Sequence, residues 1–305
     1  MTYPGKIRER CLWLFLLCAV PLSLTMASYC QADAPTRQKS FLWEVNSKRG
    51  TAYLLGSVHA FKKELYPLPR KIEDAFAGSD TLVVEADIDS LGPDSVTAIF
   101  GAAFYPVNET LEKRLSPQTY ELAKTRMAAF GVPIEPFQKT RPWVLALMIS
   151  VLEMQKLGLD PNYGIDRYFL DKARGKKPIV ELESITYQVS LFSSLSDTDQ
   201  DLFLLHTLRD MDLFPQEMDA MLRAWSTGDT KAMESIVTKD ARDDLGMSSV
   251  YEKLVNERNR SMASRIEEFL KSGGKYFVVL GAGHLVGKRG VPELLREKGY
   301  TVEQR

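Results

Sequence analysis

The sequence predicts an α/β protein, a mixed β-sheet core with helices on its faces and a large helical insertion. Three observations carry this reading. Short apolar runs of strand length gather toward the two ends of the chain. Nearly everything from residue 184 to about 271 repeats its apolar residues at helical spacing. Two of the strand-like runs, far apart in the chain, close on the same pattern, Gly56-Ser57-Val58-His59 and Gly281-Ala282-Gly283-His284.

The chain has 305 residues, with 39 Lys and Arg against 40 Asp and Glu. That length supports one large core or two small ones. The even charge argues against nucleic acid or an acidic surface as the main partner. Lys6, Arg8 and Arg10 precede the apolar run Leu12 to Leu24, and small residues follow at Ala27, Ala32 and Ala34. This reads as a secretory signal peptide over residues 1–34, its cleavage point open among those alanines. The run is shorter than the roughly 20 residues of a membrane span, and Pro21 interrupts it. The expected mature protein is therefore exported, to the periplasm, cell envelope or medium. It has no stable membrane span and forms a single domain over residues 35–305.

Cys11, Cys18 and Cys30 all fall in the leader. The mature chain then has one cysteine at most, which excludes a disulfide framework and a thiolate metal site. Metal ligands must come from His, Asp or Glu.

The elements follow in order. Phe41 to Asn46 and Thr51 to Leu55 read as a hairpin through Lys48-Arg49-Gly50. Leu65 to Ala77 reads as a helix and Thr81 to Ala86 as a strand. Helical patches broken by Gly and Pro fill 90–131. Trp143 to Leu157 is an apolar helix opened by Arg141-Pro142, and Gly164 to Arg174 is another. Ile179 to Leu182 is a strand, and the helical insertion spans about 115–270 around it. Lys275 to Leu280 is a buried strand; a helix, Val291 to Lys298, leads to a last strand, Tyr300 to Glu303.

His59 and His284 share one setting: apolar strand, glycine, two residues, histidine. Glycine lets the backbone turn as the strand ends. The histidine then projects from the carboxyl edge of the sheet, where α/β proteins place ligands. The third mature histidine, His206, lies on an apolar helical face and reads as a packing residue. Glu85 ends its strand on the same expected edge as His59. Glu181 and Glu183 flank the end of the next strand, and alternation puts them on one face. Asp87 and Asp89 read as cap residues. Asn256 to Met262 reads mostly as an exposed charged face, with Arg258 and Met262 sharing a side. An inward Arg258 would clamp a carboxylate or stabilise an oxyanion. Gly281-x-Gly283-x-x-x-Gly287 imitates a dinucleotide fingerprint, but its third glycine is one residue late and too little chain follows. There is no His-Glu-x-x-His helix, Gly-x-Ser-x-Gly elbow or Walker loop.

The sequence resembles the TraB/GumN family, which includes the animal Tiki proteases. The matching pieces are Leu54 to His59, the strand ending at Glu85, Tyr163-Gly164-Ile165-Asp166 with Tyr168-Phe169-Leu170, and Lys177 to Ser184 with Gln188. Asn256-Glu257-Arg258-Asn259 with Met262, and Gly281 to His284, complete the ordered set. The resemblance implies a fold like erythromycin esterase and the haem-binding ChaN proteins. It also implies metal-dependent proteolysis at His59, Glu85 and His284.

Together these readings give a metal-dependent hydrolase for a peptide or related acyl bond. His59 and His284 would bind a divalent ion, Mn, Co or Zn, with Glu85 or Glu183 as third ligand. A second carboxylate would shuttle a proton, and Arg258 would orient a carboxylate or stabilise negative charge. Gly56, Gly281, Gly283, Gln188 and Asn259 would shape the site. Two rivals remain at this stage. One is a metal-free esterase in which Glu85 holds the tautomer of a histidine base. The other is a haem- or iron-binding envelope protein, with Tyr53, Tyr163 and Tyr187 near the motifs. Substrate and oligomeric state stay open.

Overall fold

The computed structural model describes residues 39–305; the predicted leader lies outside them. β1 (Leu42–Asn46) and β2 (Gly50–Ser57) pair antiparallel as the predicted hairpin. Ser47 fixes the turn: its hydroxyl accepts from the Gly50 N–H at 2.8 Å and donates to the Leu270 carbonyl at 2.9 Å. β3 (Thr81–Val84), β4 (Ile179–Glu181), β5 (Gly274–Gly281) and β6 (Thr301–Gln304) complete a six-stranded sheet in the order β4-β3-β5-β2-β1-β6. β4, β3, β5 and β2 run parallel, and β1 is antiparallel to both of its neighbours. The sheet is thus mixed. Leu54, Leu55, Val83 and Phe277 through Leu280 are buried, as strands covered on both faces should be.

The helices are α1 (Arg70–Ala77), α2 (Pro93–Ala103), α3 (Leu111–Arg114), α4 (Pro117–Ala129), α5 (Pro142–Lys156), α6 (Ile165–Ala173) and α7 (Ile185–Ser193). They continue as α8 (Asp197–Asp210), α9 (Phe214–Thr227), α10 (Thr230–Val237), α11 (Lys239–Asp243), α12 (Leu245–Tyr251), α13 (Glu257–Ser272) and α14 (Val291–Glu297). A π turn, Glu252–Asn256, joins α12 to α13. The helix expected from Leu65 starts only at Arg70, because Pro67 and Pro69 supply no N–H and interrupt the first turn.

Two cores result. Ile72, Phe169, Trp225, Ile266 and Leu295 cover the sheet from α1, α6, α9, α13 and α14. Leu111, Met127, Leu145, Ile149 and Leu204 form a separate helical core among α3, α4, α5 and α8. Gly273 and Gly274 both take positive φ, 91° and 97°, and reverse the chain from α13 into β5. That tight reversal lays α13 back along the sheet, so its first turn, with Arg258 and Asn259, stands over the carboxyl edge. Among the described residues no helix is long and apolar enough to cross a membrane.

Candidate functional site

The strand order makes the site. β3, β5 and β2 are neighbours and parallel, so Glu85, His284 and His59 leave the same edge side by side. The register pairs Ser57 with Gly281, which sets the two His motifs one residue out of step.

His284 is buried, and its Nδ1 lies 2.6 Å from Asn259 Oδ1. Asn259 Nδ2 donates to the Arg289 carbonyl at 2.8 Å, which leaves Oδ1 as the acceptor. The hydrogen of His284 is therefore on Nδ1, and Nε2 carries the lone pair, 3.9 Å from Glu85 Oε1. Burial pushes His284 down to about 4, so the ring is neutral at pH 7. The charged-face reading of Asn256 to Met262 is corrected here. Asn259 and Met262 are each 1% exposed, because one holds His284 and the other packs in the sheet core.

His59 is held the same way from its other side. Its Nδ1 donates to Asp166 Oδ2 at 2.8 Å, and the Ser57 hydroxyl donates to that same oxygen at 2.6 Å. The Asp166 charge, working against burial, raises His59 to about 9. Its ring is 68% exposed, but into a recess: a cavity of about 350 Å³ lined by His59, Glu85, Ala86, Leu170, Ile185 and Gln188. Asp166 is brought in by Gly164, where a Cβ would stand 2.4 Å from the His59 carbonyl. Ile165 N–H donates to the Val58 carbonyl at 3.1 Å and seats the start of α6 against the first His motif.

Glu85 lies beside His284. Its Oε2 accepts from the Gly281 N–H, and Oε1 from Gln188 Nε2, both at 2.9 Å; Arg258 Nη2 also donates to Oε1. Burial pulls its carboxyl up, but His284, Arg258, His59 and the Gly281 N–H outweigh this and hold it near 2. Arg258 and His59 are the partners whose charge persists at pH 7, while His284 is neutral. Arg258 is shared with Glu183, which it meets through Nε at 3.0 Å and Nη2 at 2.7 Å. Glu183 and Arg258 do not line the cavity, so Glu183 stands behind Arg258 and anchors it. Glu181 turns away, accepting the Asp87 N–H at 2.6 Å. Alternation does not carry to Glu183, because β4 ends at Glu181.

A Cβ on Gly56 would collide with the Phe41 ring at 2.3 Å, and Gly283 lies against Val237 in the wall of an apolar cavity of about 200 Å³. Tyr53, Tyr163 and Tyr187 do not line the cavity at His59. Asp166 and Ser57 had no role in the sequence reading; the one signal for Asp166 was its place in the matched Tyr163-Gly164-Ile165-Asp166.

The donor set suits a divalent ion. An acceptor holds Nδ1–H on both imidazoles, the arrangement that orients histidine ligands; His284 offers Nε2 directly, and His59, raised to about 9, would release its Nε2 proton on binding an ion. His59 Nε2, Glu85 Oε2 and His284 Cδ2 all lie within 3.6 Å of the point where a Gly281 Cβ would sit, so none is more than about 7 Å from another. They are not closed into a cluster. Among the described residues only His206, Asp210 and Asp240 place their ligand atoms within 4.8 Å of one another. His59 stands off, and sharing one ion would require the two Nε2 atoms to approach within about 4 Å at most. The packing reading of His206 also needs correction: the ring is partly buried, but Nε2 meets Asp244 Oδ2 at 3.0 Å.

The fold and site define an α/β protein with two histidines and a buried glutamate converging at the carboxyl edge of a mixed sheet. The chain belongs to the TraB/PrgY/gumN family, whose model matches residues 41–304. It is 27% identical to an uncharacterised protein, YbaP, of Shigella flexneri over 80% of this chain and 88% of that one. It is 22% identical to the metalloprotease TIKI1 of Danio rerio over 95% of this chain and 68% of that one. It is 25% identical to a metalloprotease TIKI homologue of Amphimedon queenslandica over 95% of this chain and 66% of that one. No solved structure matches.

Proposed function

We propose that this chain is a metal-dependent hydrolase of peptide or related acyl bonds that acts outside the cytoplasm. One observation carries the reading: two imidazoles from adjacent parallel strands come to within about 7 Å of one carboxylate, with both Nδ1–H groups held by Asp166 and Asn259. His59, His284 and Glu85 would hold the ion. Bound there, it would supply Lewis acidity to a substrate carbonyl and to water. Glu85, ionised and aimed at the same space, would serve as the carboxylate ligand; held near 2, it is too weak a base to take the proton of water itself. Arg258 keeps Glu85 ionised, and Glu183 and Gln188 keep Arg258 and Glu85 in place. Leu170, Ile185 and Ala86 give the cavity an apolar wall for a side chain of the substrate.

The relatives named metalloproteases support this reading, and the place of action rests on the leader expected from the sequence. A likeness to erythromycin esterase and ChaN belongs to the same proposal and rests on the family. A metal-free esterase fits the geometry less well. Ser57 donates to Asp166 rather than to a histidine Nε2, so no nucleophile–base pair is formed, and Asp166 rather than Glu85 holds the His59 tautomer. The test is cleavage of a peptide library by the mature protein. Hydrolysis should stop with chelator, return with Mn, Co or Zn, and vanish in His284→Ala. Cleavage indifferent to chelator, or none with any divalent ion, would refute the proposal.

A further inference from the structure

His206 and Asp210 lie one turn apart on α8 and face Asp240 on α11. One donor atom from each falls within 4.8 Å of the others. These three come from two helices that no strand links, and none of them lines the His59 cavity. A histidine among them separates the group from an ordinary acidic surface patch. Asp244 fixes that histidine from outside: its Oδ2 meets His206 Nε2 at 3.0 Å, while its Oδ1 caps α12 through the Gly246 N–H at 2.8 Å. With Asp244 taking the Nε2 hydrogen, Nδ1 is the nitrogen with a free lone pair. A carboxylate behind an imidazole is what orients a histidine ligand.

Asp240 also borders the apolar cavity beside Gly283. Lys239 sits 3.8 Å from Asp210 and is engaged more closely by Glu217, at 2.6 Å. Two carboxylates that face each other in a partly buried place repel, and a positive centre between them relieves this.

We propose that His206, Asp210 and Asp240 form a second divalent-cation site, distinct from the cleft at His59 and His284. Imidazole with two carboxylates suits a first-row transition ion, Zn²⁺, Mn²⁺ or Co²⁺, over Ca²⁺ or Mg²⁺, which favour oxygen ligands. The ion clamps α8 to α11. The chain runs from α11 through α12 and the π turn into Arg258, so the clamp steadies the segment that delivers Arg258 and Asn259 to the cleft.

The test counts Zn²⁺ by equilibrium dialysis on the full mature chain carrying His59→Ala and His284→Ala, its fold checked by circular dichroism. One Zn²⁺ per chain should remain. Asp240→Asn or His206→Gln should weaken it at least about 10- to 100-fold, as loss of a ligand or its support does. Lys239→Met should tighten it about two- to fivefold, the worth of a surface charge contact. No bound Zn²⁺ in the folded double variant, or affinity unmoved by Asp240→Asn, overturns the proposal. If the double variant does not fold, the wild-type count against Asp240→Asn decides: one fewer Zn²⁺ supports the site, and an equal count overturns it.

Discussion

Gly281→Ala separates the site from the fold. Gly281 has φ −49° and ψ 133°, which alanine adopts without strain. Its methyl would stand 3.4 Å from Glu85 Oε2, 3.4 Å from His284 Cδ2 and 3.6 Å from His59 Nε2. Those are ordinary van der Waals contacts, so stability should change by no more than about 1 kcal/mol. The N–H bond to Glu85 survives, because only the side chain changes. Yet the methyl fills the space between His59 Nε2, Glu85 Oε2 and the Cδ2 edge of the His284 ring. An ion bonds to imidazole at about 2 Å, and no room is left for it and a water beside that carbon. Affinity for Zn²⁺ or Mn²⁺ at the cleft should fall at least about 100-fold, or some 2.7 kcal/mol. Calorimetric titration, on a background carrying Asp240→Asn, reads the affinity, and a thermal melt reads the fold. An alanine variant that melts normally, binds the ion and cleaves peptide like the wild type would refute the reasoning.

Asn259→Leu removes the acceptor on His284 Nδ1 and should weaken metal binding about 10- to 100-fold, read in the same titration. Arg258→Met leaves Glu85 and Glu183 buried together without their cation, and should cost about 3–5 kcal/mol in urea unfolding; Arg258→Lys should restore only part, since an ammonium lacks the fork that spans both carboxylates. Acid should destabilise the metal-free protein through His284. Its folded value of about 4 lies below the ordinary 6.5, so the unfolded chain takes the proton first. That stabilisation is full above pH 6.5 and is lost as pH falls through 4, a difference on the order of 3 kcal/mol. Denaturant midpoints between pH 7 and 4.5 should fall more steeply in the wild type than in His284→Gln, and equal slopes would contradict the assignment.

Much of the frame is readable from local pattern. The hairpin, β3 and β5 announce themselves as apolar runs bounded by glycine or charge, and His59 and His284 follow from where those runs stop. What escaped depends on contacts distant in sequence. Asp166 reaches His59 across 107 residues, through the close approach that Gly164 permits. Asn259 sits in a run of charged residues, and only the ring of His284 across the fold explains why it is buried. Glu183 looked like an alternating strand residue, but β4 stops two residues earlier and Arg258 sets its direction. His206 looked like core because its neighbours Leu204 and Leu205 are buried; its own partner, Asp244, lies 38 residues away.

The central claim is that His59 and His284 share one ion. Crystals of the mature protein soaked in Zn²⁺ and measured at the zinc edge test it most directly. The account predicts an anomalous peak about 2 Å from the Nε2 atoms of both rings, with Glu85 beside it. Strong zinc peaks elsewhere on the molecule, with none between His59 and His284, would contradict it.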